Sequence, residues 1–358
     1  MHPFKSDLRK IMTDLSQFDP ASAGNPNNNI FGLPFSEEDS RLVIVPVPWE
    51  VTVSYGGGTS RSAEPVFNAS LQVDLYDSDY PDGWKEGFFM RPIDKKIRLK
   101  SDYLRKEAEL YIDYISEGED IAENKFMSKA LVEVNEGSNF LNNWVYEQTK
   151  ELLDSGKLVG ILGGDHSTPL GFFKAIAEKH EEFGILQIDA HFDLRIAFEG
   201  FNYSHASIMH NTLSEIPQIK KLVQVGIRDF SQEELAYAQK DERIDFFLDR
   251  LIKERMYEGE SWKTIVEEIV NKLPQKVFIS FDIDGLDPKL CPNTGTPVHG
   301  GFEVEQIFYL FKKVLESGRQ IIGFDLNEIG TSQNNWDANV GARVLFKLCN
   351  LLVLSNPV

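Results

Sequence analysis

Cysteine is scarce in this sequence: Cys291 and Cys349 are the only two among 358 residues. Two thiols so far apart cannot form the disulfide framework of a small secreted protein, and they lack the close spacing of a cysteine-based zinc site. Cys291 is expected to be a bystander and Cys349 part of the core. The scarcity of cysteine fits a reducing compartment, so we expect a cytoplasmic protein.

Long hydrophobic runs are also absent. No stretch is apolar over the roughly 20 residues that a membrane-spanning helix needs. The segment Met1–Leu15 mixes basic and acidic residues and has no apolar run of the length found in signal peptides. We therefore expect a soluble protein that does not bind a membrane.

Basic residues are outnumbered. The chain has 37 Lys and Arg against 56 Asp and Glu, which gives a formal net charge of -19. Such a charge repels phosphate backbones and anionic membranes, and it attracts small cations. Nucleic acid is therefore not an expected partner, whereas a small cationic substrate is compatible with this charge.

The chain alternates short apolar runs with helical patterns. Residues 1–40 include a stretch rich in Pro, Gly and Asn and are predicted to be an irregular lead-in. Residues 41–358 are predicted to be one catalytic domain. Strands that are apolar on both faces and separated by helices predict a three-layer α/β/α fold with a mostly parallel central sheet. Strands are expected at 42–48, 157–163, 183–189, 221–227, 276–284 and 320–328, and helices at 141–153, 172–179, 262–273, 304–315 and 340–352.

Residues 74–137 are the least regular part of that domain. They are rich in charge, and a helical pattern runs from about Tyr103 to Tyr114. No catalytic grouping is visible there. We expect an insertion or an element that contacts another subunit.

Three polar motifs each follow the end of an apolar strand. They are GGDHS at Gly163–Ser167, DAHFD at Asp189–Asp193 and DIDGLDP at Asp282–Pro288. Ligands of open parallel sheets bind beyond the carboxyl ends of the strands, so the motifs should face one cleft. Asp165, Ser167 and Asp287 are expected to shape these loops rather than to contact substrate.

Alternation along an extended chain brings the polar residues of these motifs together. Residues i and i+2 face the same side, so Asp189 and His191 can converge, with Asp193 if the extension persists, and so can Asp282 and Asp284. His166 adds a sixth ligand. So many carboxylates cannot be buried together without cations. The set therefore predicts two divalent ions. Carboxylates and imidazoles without thiolate suit Mn²⁺ and tolerate Fe²⁺, Co²⁺, Ni²⁺ or Zn²⁺. Such a pair activates water for hydrolysis.

The motifs GGDHS, DAHFD and SFDIDGLDP, in this order, resemble the signatures of the ureohydrolase family, which includes arginase, agmatinase and formimidoylglutamase. The resemblance extends from about Ile44 to the C-terminus. It implies an arginase-like fold, hydrolysis of a guanidino or amidino C–N bond, and a homo-oligomer, trimeric or hexameric.

The resemblance also implies roles for individual residues. One ion would be held by His166, Asp189, Asp193 and Asp282, and the other by Asp189, His191, Asp282 and Asp284, so that Asp189 and Asp282 bridge. Glu328 resembles the Glu that pairs with the substrate guanidinium. His205 and Asp193 are candidate proton carriers. The segments Thr294–Pro297 and Gly300–Gly301 resemble a glycine-rich loop near the site.

The substrate is less narrowly indicated. Between Asp193 and His205, the Asn and Ser residues with which arginases hold the amino-acid head group are not recognisable. The motif DAHFDLR is similar to formimidoylglutamases, whereas His205 is similar to agmatinases and arginases. Arg195 could bind a substrate carboxylate or pair with Glu199. An agmatine-like substrate is favoured; formimidoylglutamase, arginase and guanidinobutyrase activities are the alternatives.

Two alternative functions lie outside the ureohydrolases. A deacetylase of related fold would need a single-metal Asp, His, Asp set and would not require His166, Asp189 and Asp284 together. A catalytically silent regulatory or assembly subunit would have no physical reason to keep a cluster of mutually repelling carboxylates. The complete ligand set favours the hydrolase over both.

Overall fold

The central element of the fold is an eight-stranded sheet. The computed structural model describes residues 15–357, and within them every paired strand runs parallel to its neighbours. The strands lie in the order β2-β1-β3-β8-β7-β4-β5-β6. Their bounds are β1 Leu42–Pro46, β2 Phe88–Met90, β3 Leu158–Leu162, β4 Phe183–Ile188, β5 Ile219–Ile227, β6 Ile244–Leu248, β7 Lys276–Asp282 and β8 Gln320–Asn327.

Helices cover both faces of this sheet. Each strand sends alternate residues to opposite sides, so Leu42 and Ile44 join one apolar core while Val43 and Val45 join the other. The result is the three-layer α/β/α architecture that the sequence predicted. The helices are α1 Ala63–Ser70, α2 Lys95–Ser116, α3 Lys125–Asp154, α4 Leu170–Lys179, α5 Ile208–Glu215, α6 Gln232–Lys240, α7 Asp249–Tyr257, α8 Trp262–Lys272, α9 Val304–Glu316 and α10 Trp336–Leu354.

The helix termini show why these segments begin where they do. Asp94 and Asn124 accept hydrogen bonds from the first backbone amides of α2 and α3, and Ser261 does the same for α8. Ser231 and Glu234 form a reciprocal capping box at the start of α6. Polar caps therefore fix the ends of helices whose apolar faces pack on the sheet.

The six predicted strands are all present, but two further strands were missed. β2 has three residues and β6 has five, and neither shows a clear alternation of apolar and polar residues. Helices α1, α6 and α7 were missed as well. The predicted helix at 141–153 is the second half of α3, and the predicted helix near 103–114 lies within α2.

The least regular predicted segment is continuous with the rest of the domain. Residues 74–137 contribute β2, which pairs with β1, then α2, which packs against α3. Whether this segment is an insertion or a subunit contact stays a prediction. Of the predicted lead-in, residues 1–14 lie outside the described residues, and residues 15–40 are mostly irregular with Ile30 and Phe31 buried. Within 15–357, no helix has the length and apolar character to span a membrane.

A buried lysine attaches the irregular loop before β2 to helix α10. The Lys347 side chain is only 9% exposed, and its Nζ lies 2.8 Å from Asp77 Oδ2 and 3.3 Å from Asp79 Oδ2. The ring centroids of Tyr80 and Phe308 lie 5.0 and 5.5 Å from Nζ. The ammonium is therefore both ion-paired and enclosed by aromatic rings.

We expect Lys347→Met to destabilise the protein by roughly 3 kcal/mol, because it leaves the buried Asp77 carboxylate without its partner. Urea denaturation followed by circular dichroism measures the change. Lys289→Met is the control, since Lys289 is 57% exposed in its own ion pair and its loss should cost less than about 1 kcal/mol. Equal losses in both variants would contradict the role given to Lys347.

Candidate metal centre

The three motifs meet at the carboxyl edge of the sheet. They follow β3, β4 and β7, and β8 lies between β3 and β7 in the sheet. The segment that follows β8 brings Glu328 to the same edge. The sequence expectation that the strand ends share one cleft therefore agrees with the topology.

One group of ligand atoms surrounds the imidazole of His166. Its Nδ1 lies 3.0 Å from Asp189 Oδ2, 3.0 Å from Asp193 Oδ2 and 3.4 Å from Asp282 Oδ2. The sequence placed these four residues around one ion. The structure brings them together; their role as ligands stays a prediction.

A second group lies beside the first. His191 Nδ1 is 3.1 Å from Asp284 Oδ2 and 3.5 Å from Asp189 Oδ1. Asp189 therefore belongs to both groups, one carboxylate oxygen facing each imidazole. Ligand atoms of Asp282 lie within 4.8 Å of those of His166 and Asp189 in the first group. The second, bridging role expected of Asp282 stays a prediction.

Like charge dominates this cluster. The four Asp side chains are at most 7% exposed. Burial, and then the neighbouring Asp189 carboxylate, raises the pKa of Asp193 to about 7. Burial alone would lower the pKa of His166, but three surrounding carboxylates raise it well above its ordinary value. The raised pKa values mean that the buried carboxylates favour bound protons on Asp193 and His166. The same negative charge favours the binding of divalent cations.

The hydrogen bonds of His166 support a metal ligand rather than an ordinary core histidine. Its Nε2 lies 2.9 Å from Ser280 Oγ, and the Ser280 hydroxyl donates to Asp325 Oδ1 at 3.0 Å. Since that hydroxyl hydrogen is already used, Ser280 Oγ accepts from Nε2–H, which leaves Nδ1 as the nitrogen that can offer a lone pair to a cation in place of a proton. Nδ1 has no hydrogen-bond partner of suitable geometry within residues 15–357. A buried lone pair facing three carboxylates fits a cation.

Glu328 lies beside this cluster, and only one of its two carboxylate oxygens is hydrogen-bonded among the described residues. Its Oε1 accepts a hydrogen bond from the backbone N–H of His166 at 2.9 Å. Its Oε2 is buried and has no hydrogen-bond partner in the described part of the chain. Burial, and then the Asp282 and Asp165 carboxylates, raise the pKa of Glu328 well above its ordinary value. A cationic group of a substrate would relieve this unfavourable environment.

His205 lies in the wall of the same cleft. Its Nδ1 is 3.4 Å from the hydroxyl oxygens of Thr52 and Ser204, and its backbone N–H donates to Thr52 Oγ1 at 3.2 Å. Burial, and then the positive charge of His191, lowers the pKa of His205 to about 3. The imidazole is therefore neutral at physiological pH.

These residues line a cavity of about 190 Å³. His166, Asp193 and Asp282 form part of its lining, as do Glu328 and His205. Further lining comes from side chains outside the ligand set, namely Ser54, Arg195, Phe198, Asp229, Phe230 and Thr296. A cavity of this size fits a small linear molecule and not a macromolecule.

Arg195 has a different partner from the one expected. Its Nε lies 3.4 Å from Glu234 Oε2, and its guanidinium carbon is 4.5 Å from the Phe198 ring centroid. The alternative partner, Glu199, does not form an ion pair with Arg195 within 4 Å among the described residues, and the intervening turn has left-handed Ala197 and Glu199. No hydrogen bond is found for the terminal nitrogens of Arg195 among residues 15–357, and the side chain is 39% exposed.

Several residues that support the site were missed by the sequence reasoning. Arg228 donates to the backbone carbonyls of Asp284, Leu286 and Val298, at 2.5, 3.1 and 3.1 Å, and so joins the third motif to the glycine-rich loop. Gln187 donates to Asp189 Oδ2 at 2.7 Å. For Gln187, the signal in the sequence was a polar residue within the otherwise apolar strand β4.

Asp165 bonds within the loop of the first motif. Asp165 Oδ1 accepts from the Ser167 backbone N–H at 2.9 Å, and its Oδ2 accepts from Val51 N at 3.3 Å, so this carboxylate shapes the loop.

Cys291 is buried with its thiol 3.1 Å from the Ile283 carbonyl oxygen. Burial raises the pKa of that thiol, which makes it a poor nucleophile.

Known proteins share this sequence pattern and fold. The family model described as "Arginase family" matches residues 40–350. The N(1)-aminopropylagmatine ureohydrolase of Thermus thermophilus is 28% identical over 293 residues, 82% of this chain and 83% of that protein. The agmatinase of Bacillus anthracis is 25% identical over 302 residues, 84% of this chain and 88% of that protein. The crystal structure of agmatine ureohydrolase of Thermoplasma volcanium aligns over 87% of this chain and 90% of that chain, with a TM-score of 0.64 and 20% identity.

The structural likeness shows a shared fold, and the family match shows descent. That match includes all three polar motifs and the strands that carry them. The resemblance inferred from the motifs is thereby confirmed. The protein belongs to the arginase family, as an agmatinase-like ureohydrolase.

Proposed function

We propose that the protein hydrolyses a C–N bond of a guanidino or amidino group in a small cationic substrate, first of all an agmatine-like compound, and releases urea and an amine. The observation that carries this proposal is the unpartnered Glu328 Oε2 beside a cluster that requires cations. The names of the two relatives reported above support the same substrate class.

The residues present fit two divalent ions. His166, Asp189, Asp193 and Asp282 would hold one, and Asp189, His191, Asp282 and Asp284 the other. The oxygen and imidazole donors favour Mn²⁺. When bound, such a pair lowers the pKa of a water molecule and supplies a hydroxide nucleophile at neutral pH.

The protein's own side chains orient the substrate and move protons. Glu328 Oε2 can accept a charge-assisted hydrogen bond from the guanidinium, while Oε1 stays fixed by the His166 amide. This fixes the electrophilic carbon relative to the Asp189 and Asp193 carboxylates. Asp193 is placed to accept a proton from the attacking water. Neutral His205 can relay that proton to the departing nitrogen by accepting it on one ring nitrogen and donating from the other.

A second candidate is a substrate that carries a carboxylate at its other end, such as guanidinobutyrate or formimidoylglutamate. Arg195 favours it, because its terminal nitrogens have no hydrogen bond to the described residues and its side chain lines the cavity. Glu234 counts against it, since this carboxylate already offsets part of the charge on Arg195. Arginase activity is less favoured, because the Asn and Ser residues that hold the amino-acid head group in arginases are not recognisable between Asp193 and His205.

Two wider properties are also proposals. The family resemblance supports a homo-oligomer, trimeric or hexameric, and several large apolar side chains exposed on α2 and α3 are available for burial on assembly. These are Leu99, Tyr103, Leu110 and Phe140. The scarcity of cysteine supports a cytoplasmic location.

We expect Glu328→Gln to lower kcat/KM for the preferred substrate by about 100-fold, roughly 3 kcal/mol, because a charged acceptor becomes neutral. The bound metal should not change. Steady-state urea release and elemental analysis measure the two quantities. Glu303→Gln, a change in an exposed surface carboxylate, is the matched control and should have no effect. Unchanged kinetics in Glu328→Gln would remove the proposed substrate contact.

We expect Asp189→Ala to lose both ions, because its carboxylate belongs to both ligand groups. Asp282→Ala should also lose both if that residue bridges as the family resemblance implies. His205→Ala should keep two ions while turnover falls. Elemental analysis after dialysis against metal-free buffer gives the stoichiometry. Loss of metal from His205→Ala would mean that its role has been misassigned.

A substrate panel with Mn²⁺-loaded protein distinguishes the candidates. We expect agmatine to be cleaved with a higher kcat/KM than arginine, guanidinobutyrate, guanidine or formimidoylglutamate. Urea release measures the guanidino compounds, and formamide release measures formimidoylglutamate. Arg195→Gln should leave agmatine turnover unchanged. A preference for guanidinobutyrate that this variant loses would instead establish the carboxylate-bearing class. No turnover of any compound at full metal loading would favour a silent subunit.

A further inference from the structure

Four buried polar residues form a row across the middle of the sheet, one on each of four neighbouring strands. Gln224 on β5 pairs in register with Gln187 on β4, Gln187 with Ser280 on β7, and Ser280 with Asp325 on β8. All four are fully buried. We call these four residues the polar row.

The polar row lies directly beneath the candidate metal ligands. Gln187 is two residues before Asp189, and Ser280 is two residues before Asp282, so each pair faces the same side of the sheet. Central strands of a parallel sheet are ordinarily apolar on both faces. Burying amides and carboxylates there costs free energy unless hydrogen bonds satisfy them, so the presence of the polar row needs an explanation.

The hydrogen bonds of the row divide it into two parts. Ser280 links Asp325 to the His166 imidazole, as described above. Gln187 Nε2 instead donates to Asp189 Oδ2 at 2.7 Å. Gln224 Nε2 donates to Gln187 Oε1 at 2.7 Å and to the Phe192 carbonyl oxygen at 2.8 Å. One part therefore reaches a residue of one ligand group, and the other reaches the carboxylate that both groups share.

The orientation of both amides follows from the charge on Asp189. A carboxylate accepts hydrogen bonds and cannot donate, so Gln187 must turn its NH₂ group toward Asp189 and its oxygen toward Gln224. Gln224 must then present its own NH₂ group. Its Oε1 is left without a hydrogen-bond partner in the described part of the chain. The alternative orientation would place the Gln187 oxygen against a carboxylate oxygen.

The other oxygen of Asp189 is fixed as well. Its Oδ1 accepts from the His191 backbone N–H at 2.6 Å. The backbone thus holds Oδ1 and a side chain holds Oδ2. Replacing Gln187 would free the carboxylate to rotate while leaving the backbone contact in place.

We propose that Gln187 is a positioning residue for the metal pair and that Gln224 acts through it. Together they hold the shared Asp189 carboxylate in the orientation that serves both ligand groups. This inference rests on the proposed metal centre and adds two residues outside its ligand set. The competing explanation is that the amide pair only stabilises the register of β4 and β5.

Calorimetric titration of metal-free protein with Mn²⁺ alone tests the inference. Gln187→Met keeps the side-chain volume and removes the donor, so both dissociation constants should rise roughly 10- to 100-fold. Ser280→Ala is the matched comparison and should weaken one ion only, because His166 belongs to one group. Thr149→Val is the control for loss of a buried hydroxyl far from the site, and it should change neither constant.

Thermal unfolding of the metal-free variants separates positioning from a purely structural role. If Gln187 positions Asp189, the metal affinity of Gln187→Met falls whether or not the unfolding temperature of its metal-free form changes. A lower unfolding temperature with unchanged metal affinity would overturn the proposal. If Gln187→Met does not fold, Gln187→Asn keeps the amide but shortens its reach, and unchanged affinity in that variant would overturn the proposal equally.

The double variant tests the link between the two glutamines. Gln224→Met should weaken metal binding less than Gln187→Met, and the double variant should be no worse than Gln187→Met alone. Additive losses would show that Gln224 does not act through Gln187. None of these measurements involves a substrate. Failure of amidine hydrolysis with two ions bound would therefore count against the proposed function and leave this inference standing.

Discussion

Mutual repulsion among four buried carboxylates is the constraint on which the rest of the site depends. Asp189, Asp193, Asp282 and Asp284 converge on a few ångströms of space at the carboxyl edge of the sheet. Two imidazoles cannot offset four such charges in a low-dielectric site. The arrangement therefore favours bound cations over any protonated, metal-free form, and the surrounding structure has to hold the carboxylates in place against their repulsion.

Backbone amides provide much of that restraint. Asp284 Oδ1 accepts from Ala190 N at 3.0 Å, Asp282 Oδ1 from Asp284 N at 2.8 Å, and Asp189 Oδ1 from His191 N at 2.6 Å. The first of these bonds joins the second motif to the third. Arg228 adds positive charge next to the cluster while its guanidinium is occupied by backbone carbonyls. The loops are thus connected to one another before any ion binds, which lowers the reorganisation that binding requires.

The sequence predicted the ligand cluster because its geometry is local. Each motif follows a strand, and i, i+2 alternation suffices to group Asp189 with His191 and Asp282 with Asp284. The polar row could not be found in this way. Gln187 and Gln224 are 37 positions apart, and Ser280 and Asp325 are 45 apart, so their contact depends on strand order and register. Strands as short as β2 carry too few residues to show a period.

Arg195 illustrates a different limit. Sequence distance makes Glu199 a candidate partner, but a tight turn occupies residues 198–200 and the ion pair of Arg195 is formed with Glu234. The partner that replaces Glu199 comes from α6, where Glu234 also accepts from Ser231 N at 3.0 Å as part of a helix cap. Helix capping therefore fixes the carboxylate that holds Arg195. The identity of that partner is a consequence of tertiary packing.

This division between local and distant contacts bears on how substrate specificity can change. The reacting end of the cleft is built from strand ends and backbone hydrogen bonds, where substitution disturbs the charge balance of the whole cluster. The other end is formed by loop side chains such as Arg195, Phe198 and Asp229, which have no part in the ligand groups. Substitutions there can alter the charge offered to the far end of a substrate while the hydrolytic centre stays intact. Members of such a family can therefore differ in substrate while keeping the same motifs.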